Sequence, residues 1–231
     1  MNQFVLAFPI PVLASEIFKL TDTVSVLPEA KSLLVPGCSV SFKVARNGAA
    51  AGLSDIFKEH RDISGEEASA IDSHKSLLFL LGALKNTDDL RMVNTAILKL
   101  LSAGAAGVYM QHSGTAWTAD AFREELGDGE FPMDPWINFA ENADTLYTLG
   151  LEVFNSPDLC IAKGALSENA LRDVLAVAAD SIFSGEVSSK SGTEIDAGES
   201  GAFVLRSEIK NPFPKDSPEY NRQGIMRLIR K

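Results

Sequence analysis

The side chains best suited to chemistry in this chain gather between Tyr109 and Trp117, in the stretch VYMQHSGTAW. Tyr109, Gln111, His112 and Ser113 bring a phenol, a carboxamide, an imidazole and a hydroxyl close together in sequence. Imidazole is the side chain that ordinarily titrates near neutrality, so His112 is the group that would give or take a proton there. Gln111 and Ser113 would hydrogen-bond a ligand beside it. Trp117, Trp136 and Tyr147 carry aromatic faces that would roof a crevice over them. These seven residues form the candidate ligand-binding set, and no catalytic residue is assigned. The competing assignment is structural: buried Trp and Tyr close cores more often than they line sites.

Other chemistry leaves no mark. There is no phosphate-binding glycine loop, no HExxH, no CxxC and no G-x-S-x-G. GAAAG at 48–52 lacks the order a phosphate cradle needs. Glu66–Glu67 and Glu124–Glu125 stand in polar segments that read as solvated, whereas working carboxylates are tuned by burial. His60, flanked by charges in FKEHRDI, reads as surface. His74 opens an apolar strand and His112 closes the next one. A crossover would put these two at opposite sheet edges, about 20–25 Å apart at about 3.3 Å per residue. They would then share no metal, and each would satisfy a hydrogen bond at its strand end. Cys38 and Cys160 sit among apolar neighbours and read as buried free thiols. No cofactor and no metal is expected.

The elements that would position the candidate set follow from periodicity. FVLAFPI (4–10) is an apolar run closed by prolines, a strand. VLASEIFKL reads as a short helix, 39–45 as a strand, GAAAGLSDIFKEH as weak helix or loop, and RDISGEEASAID as an exposed loop. HKSLLFLLGAL is continuous enough for a strand buried on both faces. TDDLRMVNTAILKLLSAGA then repeats Leu90, Val93, Ile97 and Leu101 at helical spacing, with Thr87 as cap and Gly104 as stop. AGVYM is the following strand, so 73–112 reads strand–helix–strand. TADAFREEL is a short helix, DGEFPMDP a turn, WINFAEN a strand, and SENALRDVLAVAADSIFSG a helix capped by Ser167 and ended by Gly185. The last fifth reads as strands joined by turns. The expected class is α+β: a mixed sheet with a strand–helix–strand crossover and helices packed on one side. Residues 1–72 would form an N-terminal α+β portion packed on a core of residues 73–231.

The composition is that of an ordinary globular protein, with 45% hydrophobic and 23% charged residues in 231. A formal charge of −10 repels a phosphate backbone, so nucleic acid is not an expected partner. It suits a protein partner of basic character. No run reaches the roughly 18 apolar residues of a membrane span. The N-terminus is broken by Pro9 and Pro11 and carries no cation before its apolar run, so a cytoplasmic location is expected.

Across roughly 74–205, Gly104, Gly107, Val108 and Tyr109, then Pro132 and Trp136, then Thr148, Gly150, Leu151, Phe154, Pro157 and Leu159 form a set that resembles the bacterial domain of unknown function DUF4261. Met110 stands where that family often has Trp, and Asn155 and Asp158 where Gly and Glu are common. The resemblance implies an α+β domain of the bacterial cytoplasm and brings no activity and no catalytic residue. Two functional expectations follow: a non-enzymatic binding or interaction module, of the kind that neutralises a partner, and a small-molecule enzyme or sensor with its pocket at the Gln111–Trp117 loop.

Overall fold

The computed structural model describes residues 2–127, 132–164, 166–208, 210–217 and 219–231. The first half contains β1 (Phe4–Ile10), β2 (Phe18–Lys19), β3 (Ser25–Val26), β4 (Ser32–Leu33), β5 (Phe42–Gly48), α1 (Leu53–His60), α2 (Gly65–Asp72), β6 (Ser76–Gly82), α3 (Thr87–Ser102), β7 (Val108–Met110), β8 (Thr115–Trp117) and α4 (Ala119–Leu126). The second contains β9 (Asn138–Glu141), β10 (Thr145–Leu149), β11 (Asp158–Ala162), α5 (Glu168–Ser184), β12 (Glu194–Asp196), β13 (Ala202–Ser207) and β14 (Ile225–Arg230). A short 3-10 helix at Asp134–Trp136 leads into β9, and another at Leu151–Phe154 joins β10 to β11.

The chain is α+β. One sheet runs β4-β5-β6-β1-β7-β8, antiparallel at every pairing. β1 pairs along its whole length with β6, from Phe4 opposite Gly82 to Ile10 opposite Ser76, and on its other side with β7. β6 and β7 are therefore parallel to each other with β1 between them, and α3 makes the crossover. The second sheet, β12-β13-β14-β11-β10-β9, is mixed, because β11 runs parallel to β14. Both sheets share one core with α3, α4 and α5, in which Phe4, Phe8, Trp136 and Leu228 are buried. The long helices thus gather with that core. α1 and α2 are additional: they cover the other face of the first sheet with Leu53, Phe57 and Ile71, against Leu77, Tyr109 and Ala116. This layer explains β6, whose fully buried residues alternate with partly covered ones.

Four local expectations change, the first being the cap of α3, which is Asn86, accepting from the Asp89 N–H (2.9 Å), rather than Thr87. Residues 64–72 form α2 rather than a loop, because Ser64 and Glu67 make a reciprocal capping box and Ile71 is buried. VLASEIFKL is a turn leading into β2: Glu16 folds its carboxylate back onto the Leu13 N–H (2.9 Å), and Arg46 donates to the Leu13 and Glu16 carbonyls. The Leu13 carbonyl also accepts the Glu16 N–H (2.9 Å), closing a single turn. The strand expected at 39–45 begins at Phe42 and runs to Gly48. Of the turn expected at DGEFPMDP, 128–131 lie outside the described residues. β1 and β5, both from the first 72 residues, lie in the same sheet as β6–β8. Among the described residues no helix is long and apolar enough to cross a membrane.

Candidate functional site

The turn between β7 and β8 meets the second sheet at a tight joint. Gly150, at the end of β10, has φ 101°, and a Cβ there would lie 2.7 Å from Ser113 Cβ. Only glycine accepts both the left-handed backbone and that approach. Asn138 Nδ2 donates to the Ser113 carbonyl at 3.0 Å, and Trp117 Nε1 donates to the Pro135 carbonyl at 2.8 Å. Beneath the turn lies Trp136, fully buried, stacked on His112 (centroids 5.2 Å apart) and edge-on to Phe4 and Phe154. Its indole N–H donates to Asn94 Oδ1 at 2.7 Å, while Asn94 Nδ2 donates to the Pro132 carbonyl at 2.8 Å.

The segment after β10 locks the same joint. The Leu159 N–H donates to Thr148 Oγ1 (2.8 Å), and the Leu151 N–H donates to the buried Asp158 carboxylate (3.1 Å). Burial pushes the Asp158 carboxyl up to about 7, against the hydrogen bonds from Asn221, Leu151 and Thr148. Asn155 takes the left-handed conformation (φ 55°), which a glycine would also adopt at that place.

Two clefts adjoin this turn and share His60 and Asn138. The first, of about 340 Å³, is walled by Arg61, Trp117, Glu125, Asp134, Phe139 and Arg172. It gathers the C-terminal end of α1, β8, the Asp134–Trp136 turn with β9, and α5. The second, of about 320 Å³, is lined by Glu59, Tyr109, Gln111, His112 and Ser113. Of the seven expected residues, Tyr109, Gln111, His112 and Ser113 line the second cleft and Trp117 the first. Trp136 lies in the core, and Tyr147 sits with Cys160 and Ile225 in a separate apolar cluster.

The two strand-end histidines diverge. His74 Nδ1–H donates to the Ile71 carbonyl (2.6 Å), and Nε2 accepts from the Ala50 N–H (3.1 Å). His112 has both ring nitrogens shielded from solvent with no hydrogen-bond partner. Burial lowers its pKa to about 3, although the Trp136 backbone lies close enough to oppose the effect weakly. Burial thus favours the neutral imidazole of His112 and works against the proton-transferring role expected of it.

The charged side chains of the first cleft escape sequence reasoning. His60 reads as surface because charges flank it, Arg61 opens the stretch read as an exposed loop, and Asp134 stands in DGEFPMDP, read as a turn. The Arg61 guanidinium lies 3.6 Å from the centre of the Trp117 ring. Its Nε is buried without an acceptor, and burial holds its pKa below the usual value against the pull of Glu125. Burial pushes the Asp134 carboxyl up to about 7, helped by the negative charges of Glu125, Asp180 and Asp173. Burial also lowers the pKa of His60. Arg172 is already paired, with Glu168 at 2.7 Å, and lies over Phe139. The cleft thus offers a stacked guanidinium and a carboxyl titrating near neutrality. Among the described residues no three His, Cys, Asp or Glu side chains are placed to hold a metal ion. Comparison with protein-family models, with curated proteins and with solved structures finds no match to this chain.

Proposed function

We propose that the protein is a non-enzymatic binding module whose recognition site is the first cleft and its neighbour. The observation that carries this reading is the convergence of Arg61, Trp117, Asp134 and Arg172, from elements far apart in sequence, on one small concavity. Cavities of this size with a few convergent polar groups are the usual form of ligand sites. The finer reading is that of a cytoplasmic, DUF4261-like protein of partner-neutralising type; the formal charge of −10 supports a basic protein partner, which it would steer into rapid association. A second reading, a small-molecule enzyme or sensor, is favoured by Asp134, because a carboxyl titrating at about 7 takes up and releases protons at neutral pH.

Thermal unfolding against a panel of metabolites and nucleotides tests the site, run on the wild type and on Arg61→Gln. A ligand at 100 times its Kd stabilises by about 2.7 kcal/mol, a shift of several degrees at roughly 2–4 °C per kcal/mol. A hit that loses its effect in Arg61→Gln supports the cleft; hits that shift both proteins equally place binding elsewhere. A basic polypeptide that stabilises at low salt, and stabilises Arg61→Gln equally, would move recognition from the cleft to the acidic surface. Turnover of a panel hit, lost in Asp134→Asn, would replace the binding reading with the enzymatic one.

A further inference from the structure

The first cleft holds unmet charge of both signs, and the two signs do not meet each other. Arg61 lines it on the Trp117 side and Asp134 lines it beside α5, yet among the described residues neither forms a salt bridge. Every charge that acts appreciably on Asp134 is negative: Glu125, Asp180 and Asp173. The charge that acts most on Arg61 is that of Glu125. Glu125 thus acts on both, while Arg61 and Asp134 form no ion pair with each other.

This arrangement discriminates among ligands by charge. An anion alone would pair with Arg61, since Arg172 is already held by Glu168, and would face the acidic groups Glu125, Asp134 and Asp173. A cation alone would meet Asp134 and leave the Arg61 guanidinium without a counter-charge. One molecule carrying both charges meets both groups. The volume, about 340 Å³, lies at the low end of the roughly 300–1,000 Å³ of small-molecule sites, so the ligand has few atoms. Ala116, Ile137, Ala176 and the Phe139 ring supply apolar wall.

We propose that the cleft binds a small zwitterion of amino-acid size, its carboxylate on the Arg61 guanidinium and its ammonium on Asp134. The inference rests on the cleft being the recognition site. It adds a linkage: an ammonium beside Asp134 favours the ionised carboxyl, so binding near pH 7 releases a proton to the buffer.

The chain has two tryptophans, so the indole N–H region of a ¹H–¹⁵N spectrum holds two side-chain signals, and Trp117→Phe identifies the one from the cleft. The probes are L-α-amino acids, the ω-amino acids from glycine to 6-aminohexanoate, and the N-acetyl and methyl-ester derivatives of each. The expected result is that at least one zwitterion moves the Trp117 signal saturably. Both of its singly charged derivatives should bind roughly tenfold or more weakly, as the loss of one charge-assisted hydrogen bond entails. Arg61→Gln should abolish discrimination against the ester, and Asp134→Asn discrimination against the N-acetyl form. Proton release, read as a dependence of binding heat on buffer ionisation enthalpy, should vanish in Asp134→Asn. Singly charged probes binding as tightly as zwitterions at the Trp117 signal, or no zwitterion binding at all, would overturn the ligand class and leave the cleft reading standing. Zwitterions that bind without moving the Trp117 signal would overturn the cleft itself.

Discussion

The joint between the two sheets and the cleft beside it are built from neighbouring residues under opposite rules. In the joint the polar groups pair, with the His112 ring the exception: Trp136 with Asn94, Thr148 with Leu159, Asp158 with Leu151, Ser113 with Asn138. In the cleft Arg61 and Asp134 stand in ordinary-looking sequence and have no ion-pair partner among the described residues. Buried polar groups are normally satisfied, so a satisfied network marks a fold determinant and unmet charge in a concavity marks a place for something else. The distinctive residues of this chain, Gly150, Trp136, Pro157 and the Thr148–Asp158 pair, belong to the joint. What they determine is architecture.

The sharpest way to break this division is Trp136→Ala. Removing a fully buried Trp costs about 3–5 kcal/mol. The melting temperature should fall by roughly 2–4 °C for each of these. A loss under about 1 kcal/mol would mean the joint is not a core element. Gly150→Ala comes next, at about 1–3 kcal/mol, because the added Cβ meets Ser113 on a left-handed backbone. Urea unfolding measures it, and an unchanged midpoint would sink the claim of close approach.

The third test sets the two histidines against each other. His74→Phe leaves the Ala50 N–H without its acceptor and should cost about 1–3 kcal/mol. His112→Phe keeps a ring against Trp136 and removes two unpartnered nitrogens, so it should be within about 0.5 kcal/mol of wild type or more stable. Its larger signature is in acid. The folded pKa of His112 is depressed from 6.5 to about 3, so the unfolded chain binds this proton more readily and stability is lost as pH falls through that window. His112→Phe should lessen that acid loss.

The last test, and the one that probes the cleft, is Asp134→Asn. The folded carboxyl is raised from 3.8 to about 7, so the folded state holds the proton more tightly. Its contribution favours the fold below the ordinary value and is lost as pH rises towards 7, the opposite sign to His112. Melting temperatures from pH 4 to 8 should decline less steeply in Asp134→Asn. Part of the decline should remain, because Asp158 is raised over the same window. Identical pH profiles for variant and wild type would show that Asp134 titrates as an ordinary surface acid.

Much of the framework was legible because it rests on local patterns. β1 matches the apolar run 4–10 residue for residue, and α5 lies between its Ser167 cap and Gly185. The crossover through α3 followed from one apolar run, one helical period and one glycine. α2 was overlooked although its capping-box pattern, Ser64 to Glu67, stood in the sequence, because its polar composition resembles a loop. Of the candidate site, the loop Tyr109–Trp117 does border the clefts, but Arg61, Asp134 and Arg172 were not found. Flanking charge predicts solvation and carries no information about which distant element will cover it.

The sequence by itself determined the class of the fold, most of the strands and helices, and the placing of His74 and His112 at opposite edges, since hydrophobic period and end signals act within a few residues. Tertiary structure alone decided which histidine is satisfied, which aromatic is core and which charges are left unmet. Those properties depend on the dielectric surroundings and partners of each group, which arise only when β7, the Asp134–Trp136 turn, α1 and α5 are brought together.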